Sequence, residues 1–335
     1  MSRRRDLLLV AGAGVASLAA PRRLRAQATP ARKVNIVMTQ GVSGLALHEL
    51  ARQQGYFTEA RIEPNVLLVS DGAKCVAALL SGASEICMWS GFNQVTPAIE
   101  RGGAMKILAG SLSLPSLALY SAKPGVRKLS DLEGKVVGIG APGTVLHQMM
   151  VYLMTKENVS ADKVMFRNVG SNADILKAVV AGTVDAGLSD VDVFDQQEKY
   201  GIHTVEGGLL WEAIPDYTNQ ATYASDAAIR EHRDDLVRLL AAYAKAYRYV
   251  CSPESRDAFI KARQTVTGEA DTQHAISQWS WIQKTQPYAK DLILTDEQIN
   301  LVQRLNIQFK TQRQVLPIEK VADMSLARDA VKMLA

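Results

Sequence analysis

The order of strands and helices that begins near residue 33 is repeated about a hundred residues later, and this repetition strongly limits the possible folds. Lys33 opens an apolar strand that leads in eight residues to Gly41, and Lys135 opens one that leads in eight residues to Gly143. Each strand is followed by a segment whose apolar residues have helical spacing, and then by another strand. Strands that alternate with helices of ten or so residues predict βαβ units with parallel strands.

The second helix of each unit shows the same correspondence. Residues 70–71 open a helix that ends at Gly82, and residues 171–172 open a helix that ends at Gly182. A short strand ending at a serine follows each helix. Glycine at the end of a helix is common in all βαβ units, so one match alone has little weight. Four landmarks in the same order indicate two matched βαβαβ halves.

Two further strand-like segments, residues 117–122 and 221–224, lie at either end of the second half. We interpret them as two crossing strands that carry the chain into a second lobe and back. The sequence therefore predicts an α/β protein in which lobe I comprises 33–119 and 225–335 and lobe II comprises 120–224. The C-terminal part is helical in pattern, with one apolar stripe. This stripe contains Leu236, Leu239, Leu240, Tyr243 and Tyr247.

The N-terminus has the pattern of an export signal. Arginines at 3–5 precede an apolar run of 14 residues at 7–20, and an A-x-A cleavage site follows at 26–28. The run is too short to cross a bilayer of about 30 Å as a helix, so we expect residues 1–28 to be a cleaved signal peptide. The paired arginines resemble a twin-arginine signal, although Asp6 is unusual there and the general secretory route stays open. We expect a soluble periplasmic protein after cleavage.

Charge excludes one class of partner. Residues 1–28 hold six arginines and one aspartate, so the net charge of +4 for the 335-residue chain leaves about −1 for the mature part. A phosphate backbone is bound through clustered lysine and arginine side chains, and no basic patch is evident. We therefore expect no nucleic-acid partner.

The cysteines and two short motifs point away from cofactors and metals. The three cysteines, Cys75, Cys87 and Cys251, have no metal-binding spacing and do not cluster in sequence, so we expect buried thiols, with one disulfide still open. An H-E-x-x-H zinc motif fails because position 52 is arginine. The G-x-G-x-x-G match at 138–143 lacks an acidic residue after the next strand, which ends at Asn168. We expect neither a cofactor nor a metal.

Ligands of open parallel α/β sheets bind at the carboxyl ends of the strands, where loops lead into helices. Here those loops are rich in glycine, serine and threonine. Backbone N–H groups at helix starts can bind an anion without lysine or arginine, so a carboxylate or sulfonate ligand is expected; the alternative is that these residues only cap their helices. The candidate ligand-binding residues are Val42, Ser43, Ser70, Asp71, Ser90, Gly91, Phe92, Gly143, Thr144, Ser171, Asp190 and Tyr223.

The strand at 33–40, the helix at 45–55 with its Gly-Tyr-Phe end, the D-L-x-G-K-x-V-G element within 129–138 and Val-Asp-Ala at 184–186 together resemble a known family. They are similar to the substrate-binding proteins of ABC transporters for nitrate, taurine and aliphatic sulfonates. The resemblance implies a type II periplasmic binding-protein fold that closes around its ligand. Many relatives have an acidic-proline pair where this chain has residues 189–192, which leaves the ligand class open.

The resemblance also implies a small-molecule ligand and a membrane permease as partners, and we expect a monomer. A second reading is an enzyme of the same fold that acts on pyrimidine precursors of thiamine, in which a cysteine-rich iron site does the chemistry. The scattered cysteines lack those ligands, and no nucleophile, base and orienting acid come together in sequence, so we expect no enzymatic activity. A third reading is a binding protein that signals to a membrane sensor.

Overall fold

The structure, a computed structural model, describes residues 30–218 and 220–334. The predicted signal peptide lies outside the described residues. The strands are β1 (Arg32–Thr39), β2 (Ile62–Val69), β3 (Ile86–Ser90), β4 (Met105–Leu112), β5 (Leu117–Ser121), β6 (Val136–Ile139), β7 (Met165–Asn168), β8 (Ala186–Asp190), β9 (His203–Leu209) and β10 (Gln220–Ser225). The first eight helices are α1 (Val42–Gln53), α2 (Tyr56–Glu59), α3 (Gly72–Leu80), α4 (Val95–Glu100), α5 (Val145–Lys156), α6 (Asn172–Val180), α7 (Gln197–Tyr200) and α8 (Leu210–Ala213). The C-terminal helices are α9 (Asp226–Val250), α10 (Arg256–Thr267), α11 (Gln273–Thr285), α12 (Asp296–Gln308), α13 (Ile318–Val321) and α14 (Ser325–Lys332).

The strands form two five-stranded sheets whose orders are β2-β1-β3-β10-β4 and β7-β6-β8-β5-β9. In the first sheet β1 pairs in parallel with β2 and β3, and in the second β6 pairs in parallel with β7 and β8. The remaining strands of each sheet pair in antiparallel fashion. The two sheets therefore have the same strand order and the same mixture of directions, which confirms the predicted pair of matched α/β halves.

The landmarks of the repeat occupy equivalent places. Gly82 and Gly182, with φ of +74° and +68°, follow α3 and α6 in the left-handed conformation that ends a helix most easily when the residue is glycine. Each glycine is followed within a few residues by the central parallel strand of its sheet, β3 or β8. Because parallel strands end at the same edge of their sheet, the loops after β1, β2 and β3 meet at one edge, and those after β6, β7 and β8 meet at another.

The chain changes sheet twice, between β4 and β5 and between β9 and β10. The predicted crossing segments each lie inside one sheet: β5 pairs with β8 and β9, and β10 pairs with β3 and β4. Residues 117–119, expected in lobe I, are thus in the second sheet, and 220–224, expected in lobe II, are in the first. The apolar pattern of both segments predicts a buried strand, but it does not indicate to which of the two sheets that strand belongs.

Two helix starts differ from the sequence prediction. Helix α1 begins at Val42, three residues before the predicted start, because the loop after β1 is short. Asparagine commonly caps helices, so the sequence predicts a helix capped by Asn93. In the structure α4 begins after Gln94, and the Asn93 side chain makes other contacts. The amide nitrogen of Asn93 donates to the carbonyl of Gly143 at 3.3 Å. A side chain expected to serve its own helix therefore joins the two lobes.

The long C-terminal helices complete the core. All five residues of the predicted stripe on α9 are fully buried, which confirms its inward face. Helix α12 contacts the hydrophobic cores of both lobes: Ile299 and Val302 belong to the core around Phe92, and Leu301 and Leu305 belong to the core of the second sheet. The lobes are therefore connected by packing as well as by two chain crossings. Across 30–218 and 220–334, no helix combines the length and apolar character needed to cross a membrane.

Candidate ligand-binding site

A cavity of about 550 Å³ lies where the loop after β3 approaches the loop after β6. Its walls come from both lobes and from the segment after α12. They are formed by Ala73, Val76, Asn93, Gln94, Pro97, Arg101, Pro142, Gly143, Thr144, Lys310 and Thr311. A volume of this size suits a small organic molecule. Of the predicted ligand-binding residues, Gly143 and Thr144 line this cavity.

The loop at Gly143 and Thr144 is held by its own hydrogen bonds. The N–H of Gly143 donates to Nδ1 of His147 at 3.0 Å, and the N–H of Thr144 donates to the carbonyl of Ala141 at 3.1 Å. The Thr144 hydroxyl also donates to that carbonyl, at 2.6 Å. Both amide groups expected to bind an anion thus already have acceptors. In this conformation the loop forms part of the cavity wall with its backbone, and its N–H and hydroxyl donors are used by His147 and by the Ala141 carbonyl.

His147 fixes this loop. Its ring lies between the rings of Phe166 and Phe309, with each centroid 4.7 Å away in an edge-to-face arrangement. Burial lowers the pKa of His147, which favours the neutral ring. Because Nδ1 accepts the bond from Gly143, the ring proton is on Nε2. His147 is therefore a support for the cavity wall.

The loops after β1 and β2 differ in character. The Ser43 hydroxyl, at the start of α1 next to half-buried Val42, accepts a hydrogen bond from the amide of Gln278 at 2.6 Å. Ser70 and Asp71 are exposed: the carboxylate of Asp71 accepts the N–H of Lys74 at 3.0 Å, as an N-cap does, and the Ser70 hydroxyl donates to it at 2.7 Å. For Ser70 and Asp71 the observed contacts are those of the capping alternative.

Several predicted residues lie inside the first lobe. Phe92 and Tyr223 are buried in one core cluster, with 1% and 0% of their surface exposed, and Ser90 is also buried. The Ser90 hydroxyl donates to the carbonyl of half-buried Gly91 at 3.4 Å. The aromatic pattern near the strand ends was interpreted as ligand-facing, but strand β10 is inserted between β3 and β4, which encloses Tyr223 on all sides.

The three cysteines are buried at two places. Cys75 and Cys87 belong to the same hydrophobic cluster, whereas Cys251 is buried in another. The neighbouring Cys87 thiol lowers the pKa of the Cys75 thiol, while burial raises the pKa of Cys87. The three cysteines therefore do not meet at one place; Cys75 and Cys87 are neighbours because β3 returns beside α3 after twelve residues of sequence. All three thiols are free.

On the opposite side of the cleft, the loop after β8 carries two carboxylates. The carboxylate of Asp190 accepts both contacts from the amide of Asn172, at 3.1 and 3.2 Å. Burial, and then the charge of Asp192, raise the pKa of Asp190 to about 7. Asp192 is paired with the guanidinium of Arg263 at 2.6 Å. Ser171, another predicted ligand-binding residue, forms a capping box with Asp174, which is the capping alternative.

A buried polar network closes the back of the cleft. The side chain of Asn306, on α12, accepts from Gln148 of the second lobe at 2.9 Å and donates to the carbonyl of Asn93 at 2.8 Å. Asn306 also donates to Thr96, and Gln312 accepts from Thr96 at 2.8 Å. Asn306 and Gln148 have no exposed surface. The side-chain oxygen of Gln148 has no partner among the described residues, but its amide nitrogen and both ends of the Asn306 side chain are hydrogen bonded, and these bonds help to specify how the elements that carry them are placed.

Sequence reasoning missed Arg101, Arg263, Gln278, Asn306 and Lys310. Arg101 follows the short helix α4. The positions of the other four depend on the return of α10, α11 and α12 to the cleft. The helical pattern of these segments shows which face is apolar but does not show what that face packs against. Over the described ranges, no group of three or more histidine, cysteine, aspartate or glutamate side chains is arranged to hold a metal ion.

Two α/β lobes with a cavity between them define the type II periplasmic binding-protein fold. The chain belongs to the NMT1/THI5-like family, whose model matches residues 47–255. No curated protein matches the sequence significantly.

Solved structures share the fold. One is the periplasmic aliphatic sulphonate-binding protein SsuA from Escherichia coli, which is 15% identical, with 88% of this chain and 92% of that chain covered and a TM-score of 0.70. Another is the ligand-binding component of an ABC-type import system from Staphylococcus aureus with zinc bound, at 12% identity, 89% and 99% coverage and a TM-score of 0.70. The desulfurization enzyme DszB is also similar, at 14% identity, 90% and 99% coverage and a TM-score of 0.61. The fold is thus used by binding proteins and by at least one enzyme.

Proposed function

We propose that this chain is the extracytoplasmic solute-binding component of an ABC importer, and that it holds a small organic acid between its lobes. The observation that carries the proposal is the cavity of about 550 Å³ with walls from both lobes. A ligand in such a cavity contacts both lobes at once, so it favours the arrangement in which they are close together. That coupling between occupancy and shape is what a transporter needs in order to distinguish loaded from empty protein.

An anionic ligand is supported by the chemistry of the cavity wall. Asparagine and glutamine amides and a threonine-containing loop face the cavity beside apolar side chains from α3 and α4. A ligand with an apolar body and one acidic end, such as a sulfonate or carboxylate, fits this division. The sulphonate-binding function of the Escherichia coli protein is consistent with this choice. Taurine is a small sulfonate and belongs to the same group, whereas nitrate is an inorganic anion without an apolar body.

A role in binding without catalysis is supported by the state of the reactive groups. The thiols of Cys75, Cys87 and Cys251 are all buried, and none of these residues lines the cavity. His147 is held between two aromatic rings and uses Nδ1 for the loop. The similarity to DszB makes an enzyme of the same fold the second candidate. Such an enzyme would need a reactive group at the cavity, where the lining offers amides, two threonine hydroxyls and two cations.

The N-terminal sequence pattern supports a location outside the cytoplasm. Residues 1–28 carry the charged, apolar and A-x-A parts of a signal peptide in order. We assign the mature chain to the periplasm as a monomer that meets a permease, with export by the twin-arginine route favoured by the paired arginines. An uptake assay in cells that lack this protein distinguishes a permease partner from a sensor partner. Loss of ligand uptake indicates a permease, and unchanged uptake indicates a sensor.

The test is a thermal-shift screen of the exported, processed protein. Nitrate, taurine, alkanesulfonates, aromatic carboxylates and pyrimidines are tested as ligands, since a molecule that binds only the native state raises its melting temperature. We expect at least one organic acid to raise it. The compound is then incubated with the protein and examined by mass spectrometry. Recovery of unchanged compound supports a binding protein, and conversion of the compound establishes the enzyme in its place.

A further inference from the structure

Two basic side chains line the cavity between the lobes. Arg101 follows α4 in the first lobe, and Lys310 follows α12. Within 30–218 and 220–334, neither is part of an ion pair or a side-chain hydrogen bond, and none of the residues that line the cavity is acidic. The cavity therefore carries an uncompensated positive charge in the described part of the chain.

The nearest acidic residue in this region is engaged elsewhere. Glu100 lines an adjoining cavity of about 370 Å³, together with Arg101, Lys310 and Arg313. Its carboxylate accepts the backbone N–H groups of Arg313 and Gln314, each at 3.1 Å. These bonds fix the Glu100 carboxylate at the turn after Lys310 but leave it charged. The region stays net positive because three cations, Arg101, Lys310 and Arg313, lie around this one carboxylate.

The rest of the cavity wall divides into an apolar side and an amide. Val76, Pro97 and Pro142 supply apolar surface from both lobes. Gln94 lines the same cavity, and its side-chain oxygen is buried without a hydrogen-bond partner in the described residues. The Gln94 amide adds a polar group to the wall, but its oxygen has no exposed surface, and a carboxylate or sulfonate has no N–H or O–H to donate to it. The selection of an acid therefore depends on the two cations.

We infer that Arg101 and Lys310 form the anion subsite of the interlobe cavity and bind the carboxylate or sulfonate of an organic acid whose body lies against Val76, Pro97 and Pro142. The inference rests on the proposed function and names the groups that would select its ligand. Cations that approach an acid from two separate elements hold it by charge-assisted hydrogen bonds, which are stronger than neutral ones. Because both side chains are exposed at the cavity mouth, salt weakens the attraction.

The positive charge of Lys310 has an alternative role at the end of α12, and the experiment has to distinguish that role from ligand binding. It adopts the left-handed conformation, with φ of +56°, directly after α12. A lysine near a helix C-terminus also interacts favourably with the helix dipole, which would affect stability and leave ligand affinity unchanged. Asparagine tolerates the left-handed conformation well, so Lys310→Asn removes the charge and keeps the turn.

The test measures affinity by calorimetry for benzenesulfonate, butanesulfonate and benzoate, and for the uncharged amide of each acid. The variants are Arg101→Gln, Lys310→Asn and both together. The matched control is Lys261→Gln on α10, which removes an exposed cation whose side chain makes no hydrogen bond or ion pair within the described ranges. We expect the wild type to bind at least one acid, and its amide at least about tenfold more weakly. Each cavity variant should lose about tenfold for the acid and change little for the amide, while the control matches the wild type.

Different failures have different meanings. If an acid and its amide bind the wild type equally, or if the double variant keeps full affinity for the acid, the anion subsite is overturned while the proposed binding function stands. If neither acids nor amides bind the wild type, the subsite and the proposed function are both rejected. A lower melting temperature of Lys310→Asn with unchanged acid affinity assigns Lys310 to the helix end and also overturns the subsite.

Discussion

The guanidinium of Arg263 lies 2.6 Å from the carboxylate of Asp192, and this ion pair joins helix α10 to the loop after β8 in the second lobe. Arg263 also donates to the side-chain oxygen of Gln278 at 2.7 Å. Gln278 in turn donates to Ser43, at the start of α1 in the first lobe. A continuous chain of polar contacts therefore crosses the mouth of the cleft from one lobe to the other.

Removing the buried cation of this chain should destabilise the protein. Arg263 is only 4% exposed, so Arg263→Met leaves Asp192 without its partner and Gln278 without a donor. We expect the free energy of unfolding to fall by about 2–5 kcal/mol, as measured by urea denaturation. The control is Arg256→Met, which removes an exposed ion pair to Asp257 and should cost at most about 1 kcal/mol. Equal effects of the two substitutions would refute a structural role for the Arg263 pair.

Stability should depend on the protonation of Asp190. Its pKa is raised from 3.8 to about 7, so between these values the folded protein holds a proton that the unfolded chain releases. This contribution to stability is fully present below about pH 4 and is lost as the pH rises through about 7. Asp190→Asn removes that dependence, so the stability of the variant relative to the wild type should increase from pH 4 to pH 8.

The comparison with Asp190→Asn is needed because His48 gives the free energy of unfolding a pH dependence of the opposite sign. Burial lowers the pKa of His48 to about 4, so its contribution to stability is lost as the pH falls from 6.5 through about 4. This effect is common to both proteins and cancels in the difference between their unfolding free energies. A difference that stays constant from pH 4 to pH 8 would show that Asp190 titrates normally.

The fold was predictable to the extent that it follows from local patterns. The matched halves were visible because Gly82 and Gly182 mark the same step of two βαβ units, and the stripe on α9 follows the helical period. The sheet in which β5 and β10 lie was not predictable. Both are short apolar segments, and pairing across the sheet, at positions distant in sequence, decides their place.

The candidate site was harder to predict for a related reason. Asn93 was interpreted as the cap of α4 because asparagine commonly caps helices, yet its amide contacts Gly143 in the other lobe. Capping is a local preference of a few tenths to about 2 kcal/mol, so contacts with another lobe can override it. Tyr223 is a second example: it is predicted to face the ligand, but it is buried in the core because β10 lies between β3 and β4 in the first sheet.

The loop after β6 should be sensitive to backbone conformation. Gly143 has φ of +78°, and a Cβ added there would be 3.6 Å from Thr311, so space is adequate and the conformation is the limit. We expect Gly143→Ala to reduce stability by about 1–2 kcal/mol through left-handed strain. Gly41→Ala is the control, because that loop position is extended and open. A Gly143→Ala variant as stable as Gly41→Ala would show that the loop relaxes.

Thr144→Val should act on the same loop through a hydrogen bond. The hydroxyl donates to Ala141 inside the loop, so its loss should lower the stability of the empty protein by about 0.5–1.5 kcal/mol. Affinity for a verified ligand should change less than in the Arg101→Gln variant, because the hydroxyl is already engaged. A large loss of affinity with unchanged stability would instead indicate that the hydroxyl turns to contact the ligand.

The network around Asn306 should resist truncation. Asn306→Ala leaves the amide of Gln148 and the carbonyl of Asn93 without their partner in a fully buried site. We expect a loss of about 2–4 kcal/mol in the free energy of unfolding, measured by urea denaturation. Asn300→Ala, on the same helix at a half-buried position, loses one hydrogen bond to Gln303 and should cost about 1 kcal/mol or less. Similar losses for both variants would argue against a special role for the network.

The central claim is that one ligand occupies the cavity and contacts both lobes. The most direct measurement is the crystal structure of the exported protein with the organic acid that binds it best. The account predicts electron density for the ligand between Gln94 of the first lobe and Gly143 of the second, with the acid group directed towards Arg101 and Lys310. Density that contacts only one lobe, or that lies outside this cavity, would contradict the account.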